Sequence, residues 1–201
     1  MRSLIETDAF DVIQVPMSLI RIERIEEEVL GTAADHDMGV VVNFPTVNGI
    51  LARDIGVFAD IFGKYIETPC QGALMGPLLH PAATSVLSGM STPEIADENC
   101  AVGKRLSNIS GDELDSLWKA IDELGIGPCR SCGRCAPWTG GISVPQIMTY
   151  HDAWSRFRIE AAKENLEDYR QQVAGASSFE GADGVCPEGF DVLKEVKRRF
   201  E

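Results

Sequence analysis

The sequence lacks a long apolar segment and is short of positive charge. No run approaches the ~18 apolar residues that a membrane-spanning helix needs, and residues 1–10 have no apolar signal core. Lysine and arginine number 18 against 31 aspartate and glutamate residues, which gives a formal net charge of −13. This charge argues against nucleic acid and against anionic membranes as partners. We therefore expect a cytoplasmic protein with neither kind of partner.

Histidine is also scarce, with three in 201 residues. His36 lies in a polar turn, His80 precedes a proline, and His151 falls in a predicted helix. None of them belongs to a nucleophile–base pair that can be recognised in the sequence. We expect structural or surface roles for all three, and the sequence identifies no catalytic residue.

The six cysteines are unevenly distributed along the chain. Cys129, Cys132 and Cys135 are spaced by two residues each, and Cys186 follows much later, directly before Pro187. A triplet of this spacing with a remote Cys-Pro is the ligand pattern of a bacterial-type 4Fe–4S cluster. Two further cysteines, at 70 and 100, are isolated, and we expect them to behave as small apolar side chains.

The spacing suits the chemistry of a cuboidal cluster. Each of its irons takes one thiolate, and a tight loop containing Gly133 can present three sulfurs to three corners. The fourth corner needs a ligand from elsewhere, which is the role predicted for Cys186. Zinc with four thiolates is an alternative, although its ligands usually come as two separated Cys-x-x-Cys pairs. Disulfides are a second alternative, more typical of small secreted domains.

Three short apolar runs, residues 11–16, 39–44 and 84–88, are predicted strands. The middle run is continuously apolar, as in a strand covered on both faces. Helical patterns separate them, at 22–30 and, with breaks at glycine and proline, at 52–79. Strands that alternate with helices predict an α/β fold with a parallel sheet.

The second half of the chain is predicted to be helical. Residues 91–94 and 110–113 carry the hydroxyl and acidic side chains that begin helices, and Gly125 ends the second of these. Two helices at 145–156 and 158–173 and a last one at 189–200 follow the triplet. In the last helix we expect Arg199 to point outward. A boundary near 125–128 predicts two domains, 1–125 and 126–201.

The order of these features resembles the C-terminal half of the aldo/keto reductases that carry a ferredoxin-like extension. Residues 10–16 and 40–45 are similar to that family's sixth and seventh barrel strands, and 84–91 with 98–99 to its eighth strand and the following loop. Residues 129–145 and 185–196 are similar to the two motifs of the extension. The resemblance implies a partial (half) TIM-type β/α barrel of parallel strands, followed by a mainly helical ferredoxin-like iron–sulfur domain.

The chain also departs from the family. A TIM-type barrel has eight strands, and the family's catalytic Asp, Tyr, Lys and His lie on strands that this chain does not contain. The resemblance implies a site for the adenosine end of NADP(H) at Gly89, Ser91, Glu98 and Asn99. Met17 replaces the tyrosine that stacks on nicotinamide, which argues against dinucleotide binding. The alternative is that Ser91 caps a helix and that Glu98 and Asn99 lie on a solvated face.

In the extension, the departures follow a rule. The family pattern has two clusters, each with three cysteines from one motif and one from the other. Cys129, Cys132, Cys135 and Cys186 form one complete set, and the other set is missing. Trp138 replaces one of its members, and Phe179 and Ala182 stand about where two others would be. The resemblance thus implies one 4Fe–4S cluster, with Trp138 and Phe179 filling the space of the second.

These observations favour an iron–sulfur electron-transfer or accessory subunit of an oxidoreductase assembly. Because three strands leave an open sheet edge, we expect a protein partner or a second copy to cover it. One alternative is an NAD(P)H-dependent carbonyl reductase completed by a partner chain that carries the catalytic half. Another is a non-catalytic scaffold with a structural cluster. Arg130 and Arg134, among the cysteines, could tune the cluster, bind an acidic partner or aid solubility.

Overall fold

The computed structural model describes residues 2–20, 29–125, 127, 129–189 and 191–201. These residues form an α/β structure that is mostly helical and contains a small parallel sheet. They divide into two compact units, Met1–Ile126 and Gly127–Glu201. The helix predicted at 22–30 and the boundary predicted at 125–128 fall partly outside the described residues.

The sheet of the first unit has three parallel strands in the order β1 (Val12–Pro16), β2 (Gly39–Asn43) and β3 (Ser85–Val86). The prediction of three parallel strands is therefore confirmed. The prediction that β2 is covered on both faces is wrong: Val40 and Val42 are fully buried, but Val41 is only half-buried. Alternate residues of a strand point to opposite faces, so one face of the sheet carries the core.

Six helices of the first unit lie among the described residues, and their packing depends on glycine. They are α1 (Arg2–Ile5), α2 (Gly31–Asp35), α3 (Phe58–Phe62), α4 (Pro69–Leu79), α5 (Pro93–Leu106) and α6 (Gly111–Asp122). Helix α4 is buried along most of its length, as an all-round apolar helix should be. A Cβ atom on Gly76 would lie 2.3 Å from a side-chain carbon of Leu19. Glycine therefore allows α4 to approach its neighbours closely.

The helix starts predicted at 91–94 and 110–113 are confirmed, with one correction. Ser110 and Glu113 form a capping box at the start of α6. At the start of α5 the capping side chain is that of Thr92, which accepts a hydrogen bond from Ile95 N at 3.3 Å. The interpretation of Ser91 as the helix cap is wrong, because its neighbour fills that position.

The second unit is built from α7 (Val144–Ser155), α8 (Glu160–Gly175) and α9 (Val192–Arg198). Single 3₁₀ turns lie at Ala136–Trp138 and Asp183–Val185. Its core consists of the apolar residues Val144, Ile147, Met148, Leu166, Val173, Phe179, Ala182, Val192 and Val196.

The expectation that Arg199 points outward is wrong. Its side chain is 9% exposed, and its guanidinium contacts the carboxylate of Glu195 one helical turn earlier. The ion pair explains how an arginine is accommodated at that depth. Among the described residues, none of the helices has the length and apolar character that crossing a membrane requires.

Candidate metal centre

The four predicted ligands line one pocket of the second unit. Cys129, Cys132, Cys135 and Cys186 are all among the residues that line it. Cys129, Cys135 and Cys186 are half-buried and pack against the unit's apolar core, while Cys132 is exposed. The pocket thus has a wall anchored in the core and one sulfur-bearing residue open to solvent.

The triplet is folded into a tight loop by two left-handed backbone conformations. Ser131 has φ = 52° and Gly133 has φ = 71°, a region that glycine adopts freely and serine rarely. The turn directs the backbone N–H of Ser131 toward Cys129 Sγ, at 3.3 Å. A backbone N–H that points at sulfur stabilises the thiolate form, which is the form that binds metal.

Cys186 is held by turns on either side. Its N–H bonds to Asp183 O at 3.3 Å, and its carbonyl accepts from Gly189 N at 3.0 Å. The Asp183 carboxylate accepts from Val192 N at 2.7 Å, at the first residue of α9. The Cys186 segment is therefore anchored to the start of a helix whose Val192 belongs to the core.

Electrostatics link the four sulfurs. Burial raises the pKa of the Cys135 thiol, and charge on Cys129 raises it further, as does charge on Cys132 and Cys186, while a backbone hydrogen bond opposes these effects. Each additional thiolate therefore makes the next one less favourable. A cationic group bound between the sulfurs would reverse this repulsion. The donor set and its mutual repulsion fit a group that takes four thiolates.

The two arginines of the loop have different surroundings. Arg130 contacts Glu188 through its Nε atom, and both side chains line the cysteine pocket. Arg134 is exposed and has no hydrogen bond or ion pair with any residue that the structure describes. Sequence reasoning did not single out Glu188. The available signal was its negative charge, two residues after the predicted ligand Cys186 and opposite in sign to that of Arg130.

The two metal groups considered from the sequence, a zinc ion and a cuboidal cluster, make different demands on four thiolates. In the described ranges, no three His, Cys, Asp or Glu side chains are placed to hold a single ion together. Four sulfurs around one zinc ion would lie about 3.8 Å from one another, given Zn–S bonds of about 2.3 Å. A cuboidal cluster makes a different demand, because its thiolates bind four separate irons at the corners of the cube.

The residues matched to the dinucleotide site lie in the first unit. Gly89 and Ser91 are exposed, and Glu98 is half-buried, with its carboxylate accepting a hydrogen bond from Thr68 at 2.6 Å. Asn99 is 4% exposed and donates through Nδ2 to Ser88 Oγ at 3.0 Å. The alternative that Asn99 lies on a solvated face is therefore wrong.

Other groups near Asn99 complete this region. Its Oδ1 atom is buried and accepts no hydrogen bond from any residue that the structure describes. The thiol of Cys70 is half-buried beside Ser88 and Asn99, and burial raises its pKa. Met17, at the end of β1, is 1% exposed, so its side chain has no open face on which a nicotinamide ring could stack.

The histidines have neighbours that suit structural roles. His36 Nδ1 lies 2.5 Å from a carboxylate oxygen of Asp8. The rings of His80 and His151 meet tryptophan rings edge-on, at 5.9 Å and 6.1 Å between centroids. None of the three lines the cysteine pocket.

No model of a known protein family matches this chain, and a comparison with curated proteins finds no significant match.

Proposed function

We propose that this chain is an iron–sulfur protein that holds one 4Fe–4S cluster with Cys129, Cys132, Cys135 and Cys186. It acts as an electron-transfer or accessory subunit of an oxidoreductase assembly. The observation that carries the proposal is the meeting of a cysteine triplet and a distant Cys-Pro at one pocket. A triplet plus one cysteine is the ligand pattern of such clusters.

The chain's own residues would bind the cluster, keep water from one side of it and leave another side open to a partner protein. Cys129, Cys135 and Cys186 pack against apolar core residues, which keeps water from that side of the pocket. The N–H group of Ser131 adds a donor to Cys129 Sγ, and hydrogen bonds to sulfur raise a cluster's reduction potential. The cluster itself would supply reversible electron uptake. The exposed Cys132 gives a partner protein its nearest approach.

The first unit is the proposed docking part. Strand β1 lies at one edge of its three-stranded parallel sheet, and its outer side pairs with no strand among the described residues. Strand edges with unpaired N–H and C=O groups invite pairing with another chain. We propose that this unit is an aldo/keto-reductase-like half-barrel and that a protein partner or a second copy covers the edge.

A second candidate function is a scaffold whose cluster only stabilises the fold. The packing of three ligand cysteines on the core of the second unit favours it, because metal binding in small units is coupled to folding. The two candidates differ in one property. An electron-transfer cluster is reduced by physiological donors at a useful rate, whereas a structural cluster is not.

The test is the metal content of the full chain purified without oxygen. We expect about four irons and four sulfides per chain, and an electron paramagnetic resonance signal after reduction. About eight irons would refute the one-cluster proposal, and zinc in place of iron would refute the cluster itself. Reduction by a low-potential ferredoxin, compared with dithionite, then separates electron transfer from the scaffold.

A further inference from the structure

We infer that the ion pair between Arg130 and Glu188 is a latch that holds the two cysteine segments together around the cluster. The inference rests on the proposed function. Arg130 directly follows the first ligand of the triplet, and Glu188 lies two residues after Cys186. The two side chains are 58 residues apart in the chain, yet they meet at the rim of the cysteine pocket.

The geometry of the pair suits a latch. The Nε atom of Arg130 donates to a carboxylate oxygen of Glu188, so charge and hydrogen bond act together. The side chains are 35% and 24% exposed, and partial burial shields the pair from solvent screening better than full exposure would. The contact bridges the triplet loop directly to the Cys-Pro segment.

The ion pair adds a polar bridge to the apolar packing that Cys129, Cys135 and Cys186 share on the core, because the hydrogen-bonded anchors of the site act within each segment. The Ser131 and Gly133 turns shape the triplet, and the Asp183 carboxylate fixes the Cys186 segment to α9. Four cysteines that line one pocket would also repel one another as thiolates. An attractive contact between the segments opposes this repulsion and keeps the four ligands near their bound positions before the cluster is inserted.

The pair also predicts a redox signature, because it places a positive and a negative group beside the cluster in a neutral combination. Reduction adds negative charge, so a nearby cation raises the reduction potential and a nearby anion lowers it. Removing the Arg130 charge leaves the carboxylate, and the potential should fall. Removing the Glu188 charge leaves the guanidinium, and the potential should rise. Opposite shifts would show that both charges lie beside the cluster, and the rate of iron loss would show that their contact retains it.

The test compares variants of the full chain, reconstituted anaerobically with ferrous iron and sulfide. Arg130→Gln and Glu188→Gln break the latch. Arg134→Gln is the matched control, since Arg134 lies in the same loop and has no ion-pair partner among the described residues. The charge swap, Arg130→Glu with Glu188→Arg, restores it. The measurements are the rate at which a chelator removes iron and the potential found by titration with dithionite.

We expect cluster loss about tenfold faster in both latch variants, as for other residues that support metal ligands. The control and the charge swap should stay within about twofold of the unchanged chain. Three results would overturn the latch. The latch variants could lose iron no faster than the control, or the charge swap could lose it as fast as the latch variants. The potentials of the two latch variants could also shift in the same direction. An unchanged chain that binds no cluster would overturn the proposed function first, and the latch with it.

Discussion

Replacing Cys186 by serine tests whether the remote cysteine is the fourth ligand. The change swaps one sulfur for one oxygen at a half-buried position and leaves the neighbouring turns in place. With three of four thiolates left, iron should fall from about four per chain to below about one. Cys132→Ser should do the same, although Cys132 is exposed.

The effect on stability separates a ligand from a packing residue. In the metal-free chain, Cys186→Ser should cost only about 1 kcal/mol, since one polarisable atom loses part of its packing. In the iron-loaded chain the loss should be on the order of 4 kcal/mol, because cluster binding is coupled to folding. For a unit of this size, about 1 kcal/mol shifts Tm by roughly 4–8 °C. The two shifts are therefore easily distinguished.

The assay is anaerobic purification, iron and sulfide determination, and thermal unfolding with and without metal. Cys70→Ser is the matched control, because Cys70 is also half-buried but lies in the first unit beside Ser88 and Asn99. It should keep the full iron content. A Cys186→Ser protein with normal iron, or equal Tm losses with and without metal, would refute the assignment of the fourth ligand.

Two further predictions concern the first unit. Gly76→Ala should lower the free energy of unfolding of this unit by about 1–3 kcal/mol in urea titrations, because the added carbon would lie 2.3 Å from Leu19. Gly103→Ala is the control: an added Cβ there meets nothing within 4 Å, so it should stabilise α5 by up to about 1 kcal/mol. Equal effects of the two substitutions would contradict this packing. The pure chain should not reduce aldehydes or ketones with NADPH or NADH, since Met17 is buried and no residue is assigned as the proton donor to the carbonyl. Turnover that is lost in Asn99→Ala would instead support a reductase.

The sequence predicted the positions of helices and strands better than the burial of their residues. Strand and helix positions followed from periodicity and from local capping signals, such as the Ser110–Glu113 box, because those depend on near neighbours in the chain. Burial depends on partners that are distant in sequence. The sequence therefore did not predict the half-buried face of β2, which depends on which helices cover the sheet. It also did not predict the burial of the Arg199 side chain, which depends on Glu195 and the surrounding helices.

The candidate site shows the same division. The four cysteines of the pocket could be named as candidate ligands from their spacing, because the chemistry of a 4Fe–4S cluster fixes how many thiolates it needs. The role of Glu188 could not, since a single acidic residue after a Cys-Pro has no meaning until Arg130 is seen against it. Asn99 was ambiguous for a similar reason. Only the fold shows that it is buried against Ser88 rather than solvated.

Packing in the second unit bears on why one cluster is proposed rather than two. Phe179 and Ala182, which the resemblance matches to cysteines of a second set, belong to the apolar core and are 6% and 0% exposed. Trp138, which the resemblance matches to another of those cysteines, is 41% exposed. It lies against Gly181, where an added Cβ would come within 2.7 Å of its ring. Phe179 and Ala182 supply no thiolates and occupy volume in the core, which favours one cluster over two. Cysteines at these two positions would exchange packed apolar groups for thiolates that repel one another, so we expect the double substitution to destabilise the second unit.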